Sequence, residues 1–403
     1  MMRRQSTVPD SQTRTTEAEP PGWLVLLLAV SCGATVANLY YAQPLLPAFR
    51  TAFGVDAVTA GALITVTQLG YAASLLFVVP LGDRAEKRRL ALWLLLLTTG
   101  ALVLAGLAPA FPVLLAASLI SGVTSVVVQI LVPFAADLAP ANVRGRIVGR
   151  VMSGLLTGIL LSRALGSFLA EAAGWRAVYL TSAALMAILA VALRLALPRR
   201  KPSTNISYGR LLRSTAGLMR KHAPLRRRAI YQSAMFGVFS AFWTTISFLL
   251  TGPGFGYSEL EVGVFALVGV GGAAIAPLAG RWADHGRTRP MTAVSFGVAA
   301  LAFAIGGFGQ HSVIALCAAA VLLDMAVQAS LVLGQHTIYQ LDPNARARLN
   351  SAFMATFFVG GAAGSLLGSY AYHAGGWTAV SVLGAGLPVL ALLFWMTGRP
   401  GSE

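Results

Sequence analysis

Twelve apolar runs are strung along the chain, near residues 23–47, 59–81, 90–109, 112–138, 149–171, 176–197, 229–251, 261–280, 291–309, 313–338, 350–372 and 377–397. None alternates polar with apolar at the period of two that a membrane β-barrel requires. Each is close to the ~20 residues that an α-helix needs to cross a bilayer, and a helix satisfies its own backbone hydrogen bonds inside lipid. The pattern predicts an all-α integral membrane protein of twelve transmembrane helices. The longest polar interval divides them six and six. The expected organisation is a disordered tail over 1–22, a six-helix half over 23–197, a central loop over 198–228, a second half over 229–397 and a short tail over 398–403.

Composition narrows this further. Of 403 residues 56% are hydrophobic and 11% charged, against about a quarter charged in an ordinary soluble domain. Twelve spans need ~240 apolar residues, which leaves little for a second, soluble core. Cys32 and Cys317 both fall inside apolar runs with no metal-ligand spacing, so they read as packing residues. The polar N-terminal segment is no signal peptide, because the apolar run after it is too long.

The formal charge of +16 changes meaning once it is placed. Of 30 Lys and Arg residues, all but Arg50, Arg163 and Arg176 fall in the N-terminal segment, the C-terminal tail or the loops after the even-numbered helices. By the positive-inside rule that side is cytoplasmic, with both termini on it, as in a bacterial inner-membrane protein. The charge is therefore topological and implies no nucleic-acid partner. In the central loop, Leu211, Leu212, Leu218 and Met219 lie among Arg210, Arg213, Arg220 and Lys221. That pattern predicts an amphipathic helix resting on anionic membrane lipids.

The two halves are a repeat. Gly174-Trp175 recurs as Gly376-Trp377, Gly158 and Gly166 as Gly360 and Gly368, and Arg144 and Arg146 as Arg346 and Arg348, all at an offset of 202. Asp83 recurs as Asp284 at 201. Repeated helical units around a central site are a common construction for transporters.

Polar side chains recur at helical spacing on the first helix of each group of three. Helix 1 carries Ser31, Thr35, Asn38 and Tyr41; helix 4 carries Ser118, Ser121, Ser125 and Gln129. Helix 7 carries Ser233, Ser240, Thr244 and Ser247 beside Trp243, and helix 10 carries Asp324, Gln328 and Gln335. Such stripes face either a cavity or another helix, since lipid disfavours them. Asn38, Tyr41, Ser125, Gln129, Trp243, Thr244 and Gln328 are accordingly candidates to line a substrate cavity. Helices 5 and 11 instead carry small residues at regular intervals, Gly154, Gly158 and Gly166 and Gly360, Gly364 and Gly368, which permit close backbone approach. Arg163 and Asp324 sit near the middle of helices 5 and 10. Each buried charge needs compensation, either as a structural pair or through coupling to a proton or substrate.

Two loops with an acid at a helix end and basic residues beyond it carry the strongest motif. One runs Pro80-Leu81-Gly82-Asp83-Arg84-Ala85-Glu86-Lys87-Arg88-Arg89, the other Gly280-Arg281-Trp282-Ala283-Asp284-His285-Gly286-Arg287-Thr288-Arg289. They resemble the signature loop of the major facilitator superfamily, and with the helix count and central loop the resemblance covers about residues 23 to 397. Asn38-Leu39-Tyr40-Tyr41-Ala42-Gln43-Pro44 and Gln68-Leu69-Gly70-Tyr71 resemble a bacterial, arabinose-efflux-like branch of exporters. The pattern departs from the signature at Val79 and Glu86. It departs from many drug–proton antiporters at Ser118, where they carry arginine, and at Arg163, where they carry a Gly-Pro motif.

The resemblance implies two halves built of inverted three-helix repeats that rock about a central site. It adds Gln68 to the cavity candidates. It places a cytoplasmic gate at Asp83, Arg84, Arg88, Arg144, Arg146, Asp284, Arg287 and Arg346. It brings helices 5 and 10 together near the cytoplasmic gate, where pairing of Arg163 with Asp324 would offset the cost of two buried charges. The expected activity is proton-coupled export of a small organic molecule by antiport, with no cofactor beyond the proton gradient. The alternatives are import of a sugar or organic acid, and a non-transporting sensor or scaffold. No nucleophile or metal constellation in the spans suggests an enzyme.

Overall fold

The computed structural model describes residues 19–140, 142–199, 207–343 and 345–398, apart from the side chains of Asp83 and Ala273. The expectations for the first eighteen residues, for 200–206 and for the last five lie outside the described residues. All regular structure among the described residues is helical. The spans are α1 (Gly22–Ala37), α2 (Ala57–Phe77), α3 (Lys87–Gly106), α4 (Phe111–Leu138), α5 (Arg144–Ala173) and α6 (Trp175–Ala196). The second set is α7 (Ala223–Leu250), α8 (Glu259–Asp284), α9 (Thr288–Phe308) and α10 (Val313–Tyr339), followed by one long helix, Arg346–Met396. That helix turns at Gly375 and Gly376, the latter at φ 60°, into α11 (346–374) and α12 (377–396). Gly174, at φ 80°, makes the matching turn between α5 and α6. Only glycine adopts such angles without strain, which explains why the Gly-Trp pair repeats.

Three spans are less regular than their hydropathy; α4 is interrupted by a 3-10 turn over Ser125–Val127. The first run is helical only to Ala37, passes through turns over 38–45 and resumes as Leu46–Phe53. Pro44 is the cause: it has no N–H to donate, and its ring collides with the carbonyl four residues back. The chain closes i→i+3 bonds there instead, such as Gln43 N–H to Tyr40 O at 3.2 Å. In α8 a 3-10 turn over Leu267–Gly269 leads into Gly271 and Gly272. Glycine there weakens the helix.

The small-residue faces bring backbones together. Gly158 of α5 meets Gly33 of α1, and Gly364 of α11 meets Gly237 of α7, so closely that neither leaves room for a methyl group. Equivalent helices thus pair in the same way in each half. The halves meet along α2 with α11 and α5 with α8. Thr65 and Ser365 share a hydroxyl–hydroxyl bond of 2.6 Å, Gln68 donates to Ser240 Oγ at 3.0 Å, and Gly263 lies against Ser167.

The central helix, Tyr208–Lys221, forms as its pattern predicts, with Arg210, Arg213, Arg220 and Lys221 exposed. Part of its apolar face packs on protein. Leu218 joins Leu225, Ile338, Leu349 and Phe353 in a cluster, and Tyr208 Oη donates to Phe77 O at 2.6 Å. Aliphatic ends of α7, α10 and α11 provide the burial that the amphipathic pattern needs.

Candidate functional site

A cavity of about 1000 Å³ lies between the halves. Its deep end holds Arg163 and Asp324, and its other end reaches Lys87, Arg346 and Arg348 on the basic side. The opposite side is sealed: Ser247 Oγ donates to Gln43 O at 3.3 Å and Arg50 stacks 5.4 Å from the Phe248 ring centre.

Arg163, 4% exposed, is caged by aromatic rings. Its guanidinium carbon lies 4.4 Å from the ring centre of Trp243, 5.2 Å from Tyr40 and 5.6 Å from Phe239. Ring faces attract such a cation. Its Nε donates to Gln43 Oε1 at 2.8 Å, an acceptor presented by the proline-broken turn after α1. Its Nη2 has no hydrogen-bond partner.

Asp324, also buried, accepts the indole N–H of Trp243 on Oδ1 at 3.0 Å. It fits because α8 is bare opposite it. A side-chain carbon on Gly269 would lie 2.6 Å from Asp324 Oδ2, and one on Gly272 would lie 2.5 Å from its Cβ. Arg163 and Asp324 make no direct ion pair. The Trp243 indole occupies the space between them, its face to the guanidinium and its edge to the carboxylate. The two charges remain near enough to interact electrostatically.

Of the other cavity candidates, Gln129 and Gln328 line the cavity, and Gln129 donates weakly to Tyr71 Oη at 3.5 Å. Asn38, Tyr41, Gln68, Ser125 and Thr244 do not line it in this conformation. Asn38 Oδ1 accepts from Ser182 at 2.7 Å, Tyr41 sits edge-on to Tyr179 with centres 5.3 Å apart, and Gln68 is bonded to Ser240. Ser125 and Thr244 are fully buried. Asn38 and Gln68 join helices on the sealed side, whereas the Ser125 and Thr244 hydroxyls have no hydrogen-bond partner. The wall that sequence reasoning missed is aromatic: Tyr71 lies against Phe358 at 4.5 Å, and Phe236 stacks on Phe357 at 3.7 Å. The Phe357-Phe358 doublet and the Gly269–Gly272 cluster were the available signals.

The gate candidates bond within their own halves. Arg88 donates to Arg194 O, Arg144 to Ala139 O at 3.5 Å and Arg146 to Glu19 at 2.7 Å. Arg346 donates to Tyr339 O at 3.2 Å, and Asp284 lies 3.7 Å from His336. Arg84 and Arg287 are exposed, and the Asp83 side chain lies outside the described residues. This is what a cavity open on the basic side requires. No group of three metal-ligating side chains occurs among the described residues.

Comparison with known proteins supports the same architecture. The family model of the Major Facilitator Superfamily matches residues 26–284 and 234–403. Uncharacterized transporter YgaY of Escherichia coli O157:H7 is 41% identical over 380 residues, covering 94% of this chain and 96% of its own length. Probable transporter SCO4007 of Streptomyces coelicolor is 39% identical over 365 residues, 90% of this chain and 84% of its own. Among solved structures, a point mutant of the nucleoside transporter NupG superposes with a TM-score of 0.76 at 15% identity, covering 93% of this chain and 99% of that one. The human organic anion transporter MFSD10 superposes at 0.67 with 20% identity, covering 93% and 100%.

Proposed function

This chain belongs to the major facilitator superfamily and is a multi-pass membrane transporter rather than an enzyme, and on that premise we propose that it moves a small organic molecule by alternating access, coupled to protons. We assign the basic side to the cytoplasm, with both termini there and the protein in the inner membrane, from the placement of Lys and Arg. The cavity then faces the cytoplasm, and the gate is the pair of Asp83 and Asp284 loops. In the opposite state their acids close the cytoplasmic side against arginines and helix N-termini.

The observation that carries the reading is the buried carboxylate of Asp324 at the deep end of an open cavity, held by Trp243 and close to Arg163. An ionisable group at membrane depth that faces a cavity is the natural proton carrier. Protonation would weaken its acceptance of the indole N–H and remove the charge that Arg163 feels. Export by proton antiport is the direction favoured by the resemblance to the exporter branch.

A second reading has its own support. An anion beside Arg163 is repelled by ionised Asp324 and tolerated once Asp324 is protonated. Proton and anion then travel together, which gives organic-acid import.

Proteoliposomes with an imposed pH gradient separate the two. Antiport accumulates substrate in the acidic compartment, and symport accumulates it in the alkaline one. A panel of organic acids, amines and sugars moved no faster than by empty vesicles would overturn both. Reporter fusions test the topology: a C-terminal fusion active only in the periplasm would reverse it.

A further inference from the structure

We propose that Arg163 anchors the charged end of the transported molecule, and that this molecule is an amphipathic organic acid, a carboxylate carried on an apolar body. The inference rests on the transport reading above and adds the chemistry of the substrate to it.

A buried guanidinium ordinarily finds acceptors for its N–H groups. Arg163 does so only in part. Nε is satisfied by Gln43, and the faces of Tyr40, Phe239 and Trp243 answer the positive charge. Ring faces offer no oxygen acceptor, however, and Nη2 is left without a partner although the residue is 4% exposed. Asp324 does not fill that place: its hydrogen bond is to the Trp243 N–H, and Nη2 has no partner. Arg163 therefore stands in the cavity wall with a buried N–H group, Nη2, that lacks an acceptor.

The charge of the wall points the same way. Among the described residues lining the cavity, Lys87, Arg163, Arg346 and Arg348 are basic and Asp324 alone is acidic. Lys87 is answered by Asp137 at 2.5 Å, and Arg163 and Arg346 still outnumber Asp324 in the wall. A cavity lined mainly by one sign concentrates ions of the other.

The remaining wall is apolar. Met152, Leu156, Ile159, Phe236, Met354 and Phe357 line the space below Arg163. An inorganic anion would leave that surface against water. A carboxylate with an aryl or alkyl body fills both parts, and convergent polar groups on an apolar wall are the usual make-up of small-molecule sites. The two methionines add adaptability to the shape of the body.

The test uses the full chain purified in detergent, titrated by calorimetry and thermal shift. The probes are 1-naphthylacetate, its neutral amide and the cationic 1-naphthylethylamine, with benzoate and octanoate to vary the body. At least one carboxylate is expected to bind saturably, and the naphthyl acid roughly tenfold or more tighter than its amide, the scale of a charge-assisted hydrogen bond. Arg163→Gln should erase that preference. Arg163→Lys should keep part of it, since lysine retains the charge but not the planar fork. Should Arg163→Gln fail to fold, the near-isosteric Gln43→Glu supplies an internal carboxylate to Arg163 and should weaken carboxylate binding while leaving the amide unaffected. The proposal is overturned if the amide or amine binds as tightly as the acid, if the preference survives Arg163→Gln or Gln43→Glu, or if none of the three carboxylates binds. Counterflow in proteoliposomes distinguishes the two layers. A carboxylate that binds without being transported sinks the transport reading and leaves the site. Preferential transport of an amine or neutral compound sinks the organic acid and leaves the transporter.

Discussion

Trp243 joins Arg163 to Asp324 by offering its ring face to the first, at 4.4 Å, and its indole N–H to the second, at 3.0 Å. The two opposite charges lie on different halves of the protein, and a residue of α7 holds them apart. A direct buried ion pair is costly to desolvate and costly to break. An indole between the charges lets either one change partner while the other stays compensated.

The two roles of Trp243 can be separated. Trp243→Phe keeps an aromatic face for Arg163 but removes the N–H. Asp324 then loses its donor, a change worth about 1–3 kcal/mol at a buried site. Trp243→Leu removes both. Thermal unfolding should rank parent, Phe and Leu in descending stability, and exchange transport should fall in the same order. Equal behaviour of the Phe variant and the parent would mean that the indole N–H has no part in holding Asp324.

Glycines in the α7–α11 seam are expected to tolerate nothing larger. Gly364→Ala places a methyl group into the backbone of Gly237, and overpacking of that kind costs about 1–3 kcal/mol or more. Gly297→Ala on α9, where a methyl group meets nothing within 4 Å, is the control and should be neutral or stabilising, since alanine favours helix. Unfolding in detergent decides between them. A Gly364→Ala protein as stable as the parent would show that the seam can open to admit a methyl group.

Much of this architecture was legible. Twelve runs of the right length give twelve spans because backbone groups in lipid leave a segment few alternatives. The repeat of Gly174 at Gly376 was visible as spelling and turns out to be a shared backbone conformation. The site was less legible, because a polar stripe on a helix records only that lipid is avoided. Asn38 and Gln68 avoid it by joining helices on the sealed side, whereas Gln129 and Gln328 do so by facing the cavity. Nothing in the spacing of these residues separates the two outcomes; the conformation of the halves does. Whether Arg163 and Asp324 touch was not legible, because two charges in a sequence do not reveal a third residue between them.

Closure on the sealed side offers a direct test of alternating access. Thr65 of α2 and Ser365 of α11 lie in hydroxyl contact at 2.6 Å. Cysteines at both positions, in a protein with Cys32 and Cys317 replaced, should cross-link with a short thiol reagent. The link should stop transport, and a reducible reagent should restore it on cleavage. Undiminished transport in the fully cross-linked protein would mean that this seam does not open during the cycle.

The sharpest expectation concerns Asp324. Its carboxylate lies across Trp243 from the guanidinium, and the other charged groups lining the cavity, Lys87, Arg346 and Arg348, are all basic. An ionised Asp324 therefore opposes an anion at Arg163, by on the order of 1–2 kcal/mol for charges ~10 Å apart at an effective dielectric of ~20. Protonation removes that opposition, so proton and anion binding reinforce each other, and by linkage each raises the affinity for the other; this is the symport reading, whereas antiport would require the two to compete. Carboxylate affinity in the parent should rise as pH falls. Asp324→Asn is fixed in the uncharged form, and it should bind the carboxylate more tightly at neutral pH with little dependence on pH. It should also exchange substrate across the membrane yet fail to accumulate it in response to a pH gradient. Binding and exchange report on the site, and accumulation reports on coupling, so a merely misfolded variant is recognised by losing all three. If Asp324→Asn accumulates substrate against a gradient as well as the parent does, Asp324 is a structural partner of Trp243 and the proton is carried elsewhere.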